Sequence, residues 1–442
     1  MNNLNTRKTI FGHPYGLYIL FFTEMWERFS YYGMRALLVL FLISEVDSKN
    51  PGYGWSEVDA LWLYGWYTML VYVASIPGGI IADKFLGQKK TVMLGGAFLV
   101  VGHSVLAINH IYAFYTGLIF IILGVGGLKP NISTMVGGLY KKEDERRDTA
   151  FKIFYMGINI GAFLSALIIG GIGEVYGWHY GFGLAGIGML FGQMVFVWGN
   201  KYLIGVGDFI GKDENPNKEL MNKPLSKIEI DRMMVLFLSF LIVIVFWGAF
   251  EQAGGLMNIY AFEKTNRFIE SINFEIPATW FQSLNALFIV IFAISVGKFW
   301  VWWKSLGKES SLLFQMAIGV IIMAIGFLFM SAASVEFENQ GSSAMYWLVL
   351  AYLFHTIGEL CTSPTAMALI TKLAPLKYAS FMMGAYFACT GFGNKLAASL
   401  GTWAQTAGEY EIFTGIALTC SIFGILVIMI IKPLKRLTHG AD

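Results

Sequence analysis

Twelve stretches of this sequence are apolar over a length that crosses ~30 Å of hydrocarbon, and no ordinary soluble fold uses so many. They run approximately 15–43, 57–81, 90–108, 111–138, 149–172, 180–204, 233–262, 277–299, 310–333, 344–373, 378–402 and 411–432. A segment inside a bilayer must satisfy its own backbone, so apolar stretches this long read as helices. The expected fold is an all-α membrane protein with twelve transmembrane helices, several long enough to tilt or kink. Charged residues make up 14% of the chain, where a soluble domain carries about 25%. Secreted disulfide scaffolds, collagen-like chains and disordered chains are thereby excluded, and a net charge of +2 does not suggest a nucleic-acid partner. Cys361, Cys389 and Cys420 lie inside apolar stretches without metal-type spacing and read as packing residues.

An even number of spans puts both termini on one side, and the basic residues choose that side. The terminal segments and the loops after spans 2, 4, 6, 8 and 10 hold 23 Lys and Arg, while the opposite loops hold three, Lys49, Lys264 and Arg267. Both termini are therefore expected in the cytoplasm. No small-residue cleavage site follows the first apolar stretch, which is too long for a signal peptide, so span 1 is expected to be retained. The longest polar interval, 205–231, divides the spans into 1–204 and 232–442, six and six, and is too short to be a domain. Two six-span bundles joined by a cytoplasmic linker is the layout of the major facilitator superfamily, with a cavity between the halves. This is a likeness of layout, since no sequence repeat between the halves is legible.

Ionisable groups at membrane depth are costly and each asks for a reason. Glu24, Glu27, Arg28, Tyr31, Tyr32 and Arg35 are spaced by 3, 4, 7, 8 and 11 residues from the first, which places most of them on one helical face. One ion pair there could simply fix packing, but four charges with two tyrosines point to a face that meets water or a ligand. Lys129 in GGLKPNIS lies well inside span 4 and needs a carboxylate, which Glu24 or Glu27 can supply. An acid that takes up a proton next to a base frees the base for an anion, which is the chemistry of proton coupling; the plainer alternative is a permanent tie between helices. Glu251 and Glu359 are acids at mid-span in the second half, where each could also sit in a local hydrogen-bonded pair. His355, one turn before Glu359, is an available partner and reads more readily as a packing residue than as a proton site. Bases and acids in one bundle and acids in the other suit a zwitterion held end to end.

GGIIADKFLGQKKT, 78–91, joins spans 2 and 3; Asp83 can cap a helix or pair with a base to lock the cytoplasmic side, and Gly87 suits a tight turn. A phosphate-binding loop is a poor reading of it, because it holds no GKS or GKT and follows no soluble strand. KKEDERRD, 141–148, reads as a solvated loop, and Lys395, near the cytoplasmic end of span 11, as a snorkelling side chain. Tyr31, Tyr32, Tyr64, Tyr72, Trp280 and Tyr386 are candidates to line a cavity, although bilayer anchoring and packing use the same residue types.

The motif series resembles the proton-dependent oligopeptide transporter family. EMWERFSYYG at 24–33 is similar to that family's first-helix signature, and GGIIADKFLGQKKT, GGLKPNIS and RDTAFKIFYMGINIGAF (147–163) follow in the family's order. FEQAG (250–254), FQSLN (281–285), GELCTSP (358–364) and MMGAYF (382–387) continue it. The resemblance implies symport of di- and tripeptides with protons by alternating access, with no cofactor other than the coupling proton, in a bacterial inner membrane, by a protein that works as a monomer. It implies that Glu24, Glu27 and Arg28 couple to protons, and that Lys129 pairs with them and faces the peptide carboxylate. Arg35 and Glu251 would form a gate, and Glu359 with Asn285 would hold the peptide amino terminus. Tyr31, Tyr32, Tyr72 and Asn159 would line the pocket, with Ser363 near it. Two departures stand out. The 27 residues of 205–231 leave no room for the two extra helices that many bacterial members carry there, and Tyr386 stands where the family usually has tryptophan. The smaller ring with its hydroxyl changes the pocket's size and adds a hydrogen-bonding group.

A major facilitator antiporter would also need buried carboxylates. A nutrient sensor of the same architecture would signal through its loops, of which 205–231 is the longest. An enzyme is disfavoured, because the sequence holds no GxSxG, HExxH or cysteine–histidine spacing.

Overall fold

A computed structural model of the chain describes residues 9–141, 144–209, 224–375 and 378–441. The expected linker 205–231 and the KKEDERRD run therefore fall partly outside the described residues. Within those residues the chain is mostly helical, and every strand is two residues long. The residues form two compact units, 1–55 with 70–214, and 56–69 with 215–442.

The first unit opens on a short hairpin, β1 (Thr9–Ile10) and β2 (His13–Pro14), turned through Phe11 and Gly12 at positive φ. α1 (Tyr15–Ile43) begins immediately after Pro14, whose fixed φ suits a helix start. The last turn of α2 (Glu57–Val73) belongs here, followed by α3 (Ser75–Ile81), a five-residue π turn over 82–86, and α4 (Gln88–Leu106). Then come α5 (Ile111–Gly138), α6 (Arg146–Ser165), a second π turn over 166–170, α7 (Gly171–Tyr176) and α8 (Trp178–Gly199). α1 packs between α6 and α8, and α5 against α3 and α4. The α4–α5 seam is closed by small residues: a Cβ on Gly95 would stand 2.7 Å from the Gly124 carbonyl, and one on Gly102 2.9 Å from the Gly117 carbonyl. Gly87 makes the expected tight turn at φ +79°, where an added Cβ would also lie 2.6 Å from the Phe209 amide. Lys89 ties the same turn to Asp208 at 2.8 Å.

The second unit takes the first turns of α2, then α9 (Lys227–Phe250), a 3-10 turn over 251–254, and α10 (Leu256–Glu263). α9 starts on a full capping box: Ser226 Oγ accepts from the Glu229 amide, and Glu229 accepts from the Ser226 amide. It continues with α11 (Ser283–Ser305), α12 (Leu312–Gln340), α13 (Met345–Leu373), α14 (Ala379–Ala407), α15 (Glu409–Met429) and α16 (Ile431–Leu437). α12 packs on α13 and α15, α9 on α14, and α11 on α13. The first turns of α2 lie against this unit's small residues; a Cβ on Gly65 would meet the Ala398 methyl at 2.4 Å.

Among the described residues, eight helical segments are long and apolar enough to cross a membrane. The remaining expected windows lie in α1, α4, α13 and α14, and α1 carries Glu24, Glu27, Arg28 and Arg35. Lys395 corrects one expectation. It does not snorkel at a cytoplasmic end: its ammonium lies 4.9 Å from the Trp66 ring and 5.4 Å from that of Trp62, on the first turns of α2. α14 is the eleventh window, so in the expected topology it enters from the cytoplasm at 379, and Lys395 lies nearer its far end, where Gln405 meets Glu57 at 2.6 Å.

Candidate functional site

Each unit buries one set of the predicted polar residues. In the first unit, α1 supplies a carboxylate pair with a guanidinium inside two helical turns. Arg28 Nε lies 3.0 Å from Glu24 Oε1 and 2.5 Å from Glu27 Oε2. All three are at most 2% exposed, so these charges meet each other instead of water. The guanidinium also lies 5.8 Å from the Tyr31 ring and 5.7 Å from that of Tyr32, and the Arg35 guanidinium lies 4.9 Å from Tyr32. The shared face of α1 thus brings two guanidinium groups and two tyrosine rings together.

α5 brings Lys129 to the same place. Its ammonium sits 3.7 Å from the centre of the Tyr72 ring and acts electrostatically on Glu27. With both acids ionised, Glu24, Glu27, Arg28 and Lys129 sum to zero, and one proton on either acid leaves a net positive charge. α6 completes the wall because Gly161 lets it approach α1: a Cβ there would stand 2.3 Å from the Met25 carbonyl. Asn159, buried on α6, donates to the Tyr155 carbonyl at 2.9 Å, which orients its amide along its own helix.

The second unit builds its set on α13 and α11. Asn285 Nδ2 donates to Glu359 Oε2 at 2.7 Å and contacts Thr356 Oγ1 at 3.2 Å, while Thr356 donates to the Tyr352 carbonyl at 2.7 Å. Glu251 lies buried in the 3-10 turn after α9, and its charge reaches Glu359. Its neighbour Gln252 donates to the Ala397 carbonyl at 2.9 Å and so fastens this turn to α14. Tyr386 is only 4% exposed, lies close to Ser363 and Trp247, and feels the Glu359 charge. The hydroxyl that replaces the family's usual indole is thus wired into the acid's surroundings.

Two expected residues stand apart. Asp83 is exposed in the π turn after α3 and has no ion pair among the described residues; the acid and base joined at that turn are Asp208 and Lys89. His355 is buried, but its ring packs on Phe327 at 4.5 Å, and neither nitrogen has a hydrogen-bond partner among the described residues. It is not seated as a partner of Glu359. Thr356 and Gln252 were not singled out from the sequence, although Thr356 precedes Glu359 by three residues and so shares its helical face.

Comparison with known proteins gives this geometry a family. The model of the POT family matches residues 89–222 and 212–412. The chain belongs to the POT family. That family lies within the major facilitator superfamily and is one of peptide transporters, not enzymes. Among its relatives, the di-/tripeptide transporter of Lactococcus lactis subsp. cremoris is 33% identical over 495 residues, covering 99% of both chains. The peptide transporter YePEPT of Yersinia enterocolitica is 34% identical, covering 98% of this chain and 97% of its own. The crystal structure of peptide transporter POT in complex with sulfate superimposes with a TM-score of 0.90 at 31% identity, covering 98% of each chain. A POT family transporter in complex with a thioalcohol-conjugated peptide gives 0.88 at 28%, covering 97% of this chain and 98% of the other. The chain is accordingly a multi-pass membrane transporter.

Proposed function

We propose that this member of the POT family imports di- and tripeptides by proton-coupled symport, with alternating access to the two sides of a bacterial inner membrane. The observation that carries the reading is Arg28 held at 3.0 Å or closer by two buried carboxylates, with Lys129 acting on Glu27. Two acids on one guanidinium form a site whose charge changes when a single proton arrives. In this reading protonation of Glu27 or Glu24 leaves Lys129 free to take a peptide carboxylate. Glu359, oriented by Asn285, takes the amino terminus, and Arg35 with Glu251 acts as a gate. Tyr31, Tyr32, Tyr72, Asn159, Ser363 and Tyr386 shape the pocket around the side chains. The substrate class follows that of the Lactococcus and Yersinia relatives.

The same reading takes the protein as a twelve-span monomer with cytoplasmic termini and without the extra helix pair. Support for the missing pair comes from the Lactococcus alignment, which runs over 495 positions although this chain has 442 residues, so the relative has at least 53 residues without a counterpart here. The test is uptake of labelled dialanine into proteoliposomes with and without an inward proton gradient. Accumulation that requires the gradient, and that tripeptides block but free alanine does not, is the expected result. Outward flux against an inward proton gradient, without competition by dipeptides, would instead make the protein an antiporter.

A further inference from the structure

A cavity of about 300 Å³ opens at one end of the second unit, outside both buried charge sets. Its wall takes Trp300 and Lys304 from the last turns of α11, Ser311 and Gln315 from the start of α12, Lys372 from the last turn of α13 and Lys435 from α16. Its volume is at the small end of the range for sites that hold small molecules. A lysine in the last turn of a helix is ordinary, since it complements the carbonyl end. Three lysines converging from three helices on one cavity are not explained by that.

The charges in the cavity are not balanced. Its lining residues include three lysines and no acid, and the adjacent Glu309 accepts from the Ser310 and Ser311 amides at 3.1 and 2.9 Å and from Lys435 Nζ at 3.1 Å. Among the described residues Lys304 and Lys372 have no ion pair. Ser311 precedes the first turn of α12 but makes no side-chain cap to it, so the positive end of a 29-residue helix adds to the two unmatched ammonium groups. The outward face of α11 beside the cavity is apolar: Val301, which lines it, is 74% exposed, and the next residue, Trp302, is 54% exposed. In a membrane-spanning unit, an apolar outer face beside a cationic recess at the helix ends fits an amphiphile with an anionic head.

We propose that this cavity binds the phosphate headgroup of an anionic membrane lipid between Lys304, Lys372 and Lys435, with the lipid's chains along Val301 and Trp302. A free phosphate would satisfy the lysines but gain nothing from the apolar rim. The proposal does not depend on what the protein transports.

The test titrates the whole protein in neutral detergent with phosphatidylglycerol and counts bound lipid by native mass spectrometry. Phosphatidylcholine serves as the zwitterionic comparison and inorganic phosphate as competitor. One saturable phosphatidylglycerol site is expected, and Lys304→Gln with Lys372→Gln should weaken it by on the order of thirtyfold, from about 1 kcal/mol per lysine near an anionic surface. Lys432→Gln with Arg436→Gln, basic residues of α16 that do not line the cavity, should leave it unchanged. If the double variant unfolds in detergent, each single lysine variant is measured instead, with a loss of roughly threefold to fivefold expected. Equal binding of phosphatidylcholine, equal loss in the Lys432 and Arg436 pair, or no loss in the cavity variants would overturn the proposal. Displacement of the lipid by millimolar phosphate would overturn its lipid part and leave a free-anion site.

Discussion

Replacing Glu27 by glutamine removes one negative charge from a cluster whose four groups otherwise sum to zero, and changes little else. The amide keeps the length of the side chain and can still accept from Arg28, which lies 2.5 Å from the present carboxylate. Arg28 also keeps Glu24 at 3.0 Å, so no buried guanidinium is stranded. A hydrogen bond to a charged group contributes ~1.5–3 kcal/mol and one to a neutral group ~0.5–1.5, so the expected loss of stability is about 1–2 kcal/mol. Arg28→Met is the contrast: it leaves two carboxylates buried at 3% side-chain exposure or less without their cation, which costs about 3–5 kcal/mol. The two variants should therefore differ clearly in thermal unfolding in detergent. Transport should differ in kind. One pH unit is worth about 1.36 kcal/mol per proton, so the unmodified protein can concentrate dialanine up to roughly tenfold per pH unit for each coupled proton. With Glu27→Gln the internal and external concentrations should become equal, while exchange of labelled for unlabelled peptide without a gradient continues. Gradient-driven accumulation by a folded Glu27→Gln protein at the unmodified level would refute the assignment of coupling to this carboxylate.

Asn285→Ala removes the 2.7 Å donor to Glu359, and leaving that buried acid without it should cost about 1–3 kcal/mol in thermal unfolding and raise KM for dialanine, read from uptake kinetics. Tyr386→Trp replaces a hydroxyl beside Ser363 and Trp247 by a larger ring; the expected outcome is weaker uptake of peptides with bulky side chains relative to dialanine, measured by competition, and an unchanged ranking would count against Tyr386 as a pocket residue. Gly78→Ala places a Cβ 1.9 Å from the Gly126 carbonyl, where backbone must shift, so a loss of about 1–3 kcal/mol is expected in thermal unfolding. Glu309 lies in the loop before α12; burial pushes its carboxyl up, but the Ser311 amide and Lys435 outweigh that and hold it below its ordinary value of 4.5. Its contribution to stability is thus present above pH 4.5 and lost as pH falls through the lowered value, so the unmodified protein and Glu309→Gln should differ in unfolding temperature at pH 6 and converge once the pH lies below that lowered value.

The α1 cluster was legible in the sequence because its members lie within three turns of one helix, where a period of 3.6 residues alone decides which side chains share a face. Length and hydropathy announced a membrane protein, because a bilayer leaves the backbone almost no other way to satisfy itself than helix. The motif order announced the family for a similar reason, each motif being a short local pattern. What depends on how two helices cross was not legible. Lys129 called for a carboxylate, but only the crossing of α5 places its ammonium over the Tyr72 ring while it acts on Glu27. His355 shares a helix with Glu359 one turn away, yet the close approach of α12 at Gly326 turns its ring onto Phe327. Lys395 looked like a side chain reaching for an interface until the first turns of α2 proved to lie beside it with two indoles. The cavity at Lys304, Lys372 and Lys435 draws on residues up to 131 positions apart in sequence. Local spacing sets the face on which a residue stands, whereas its partner is set by the glycines and small side chains that decide how closely, and at what height, a second helix passes.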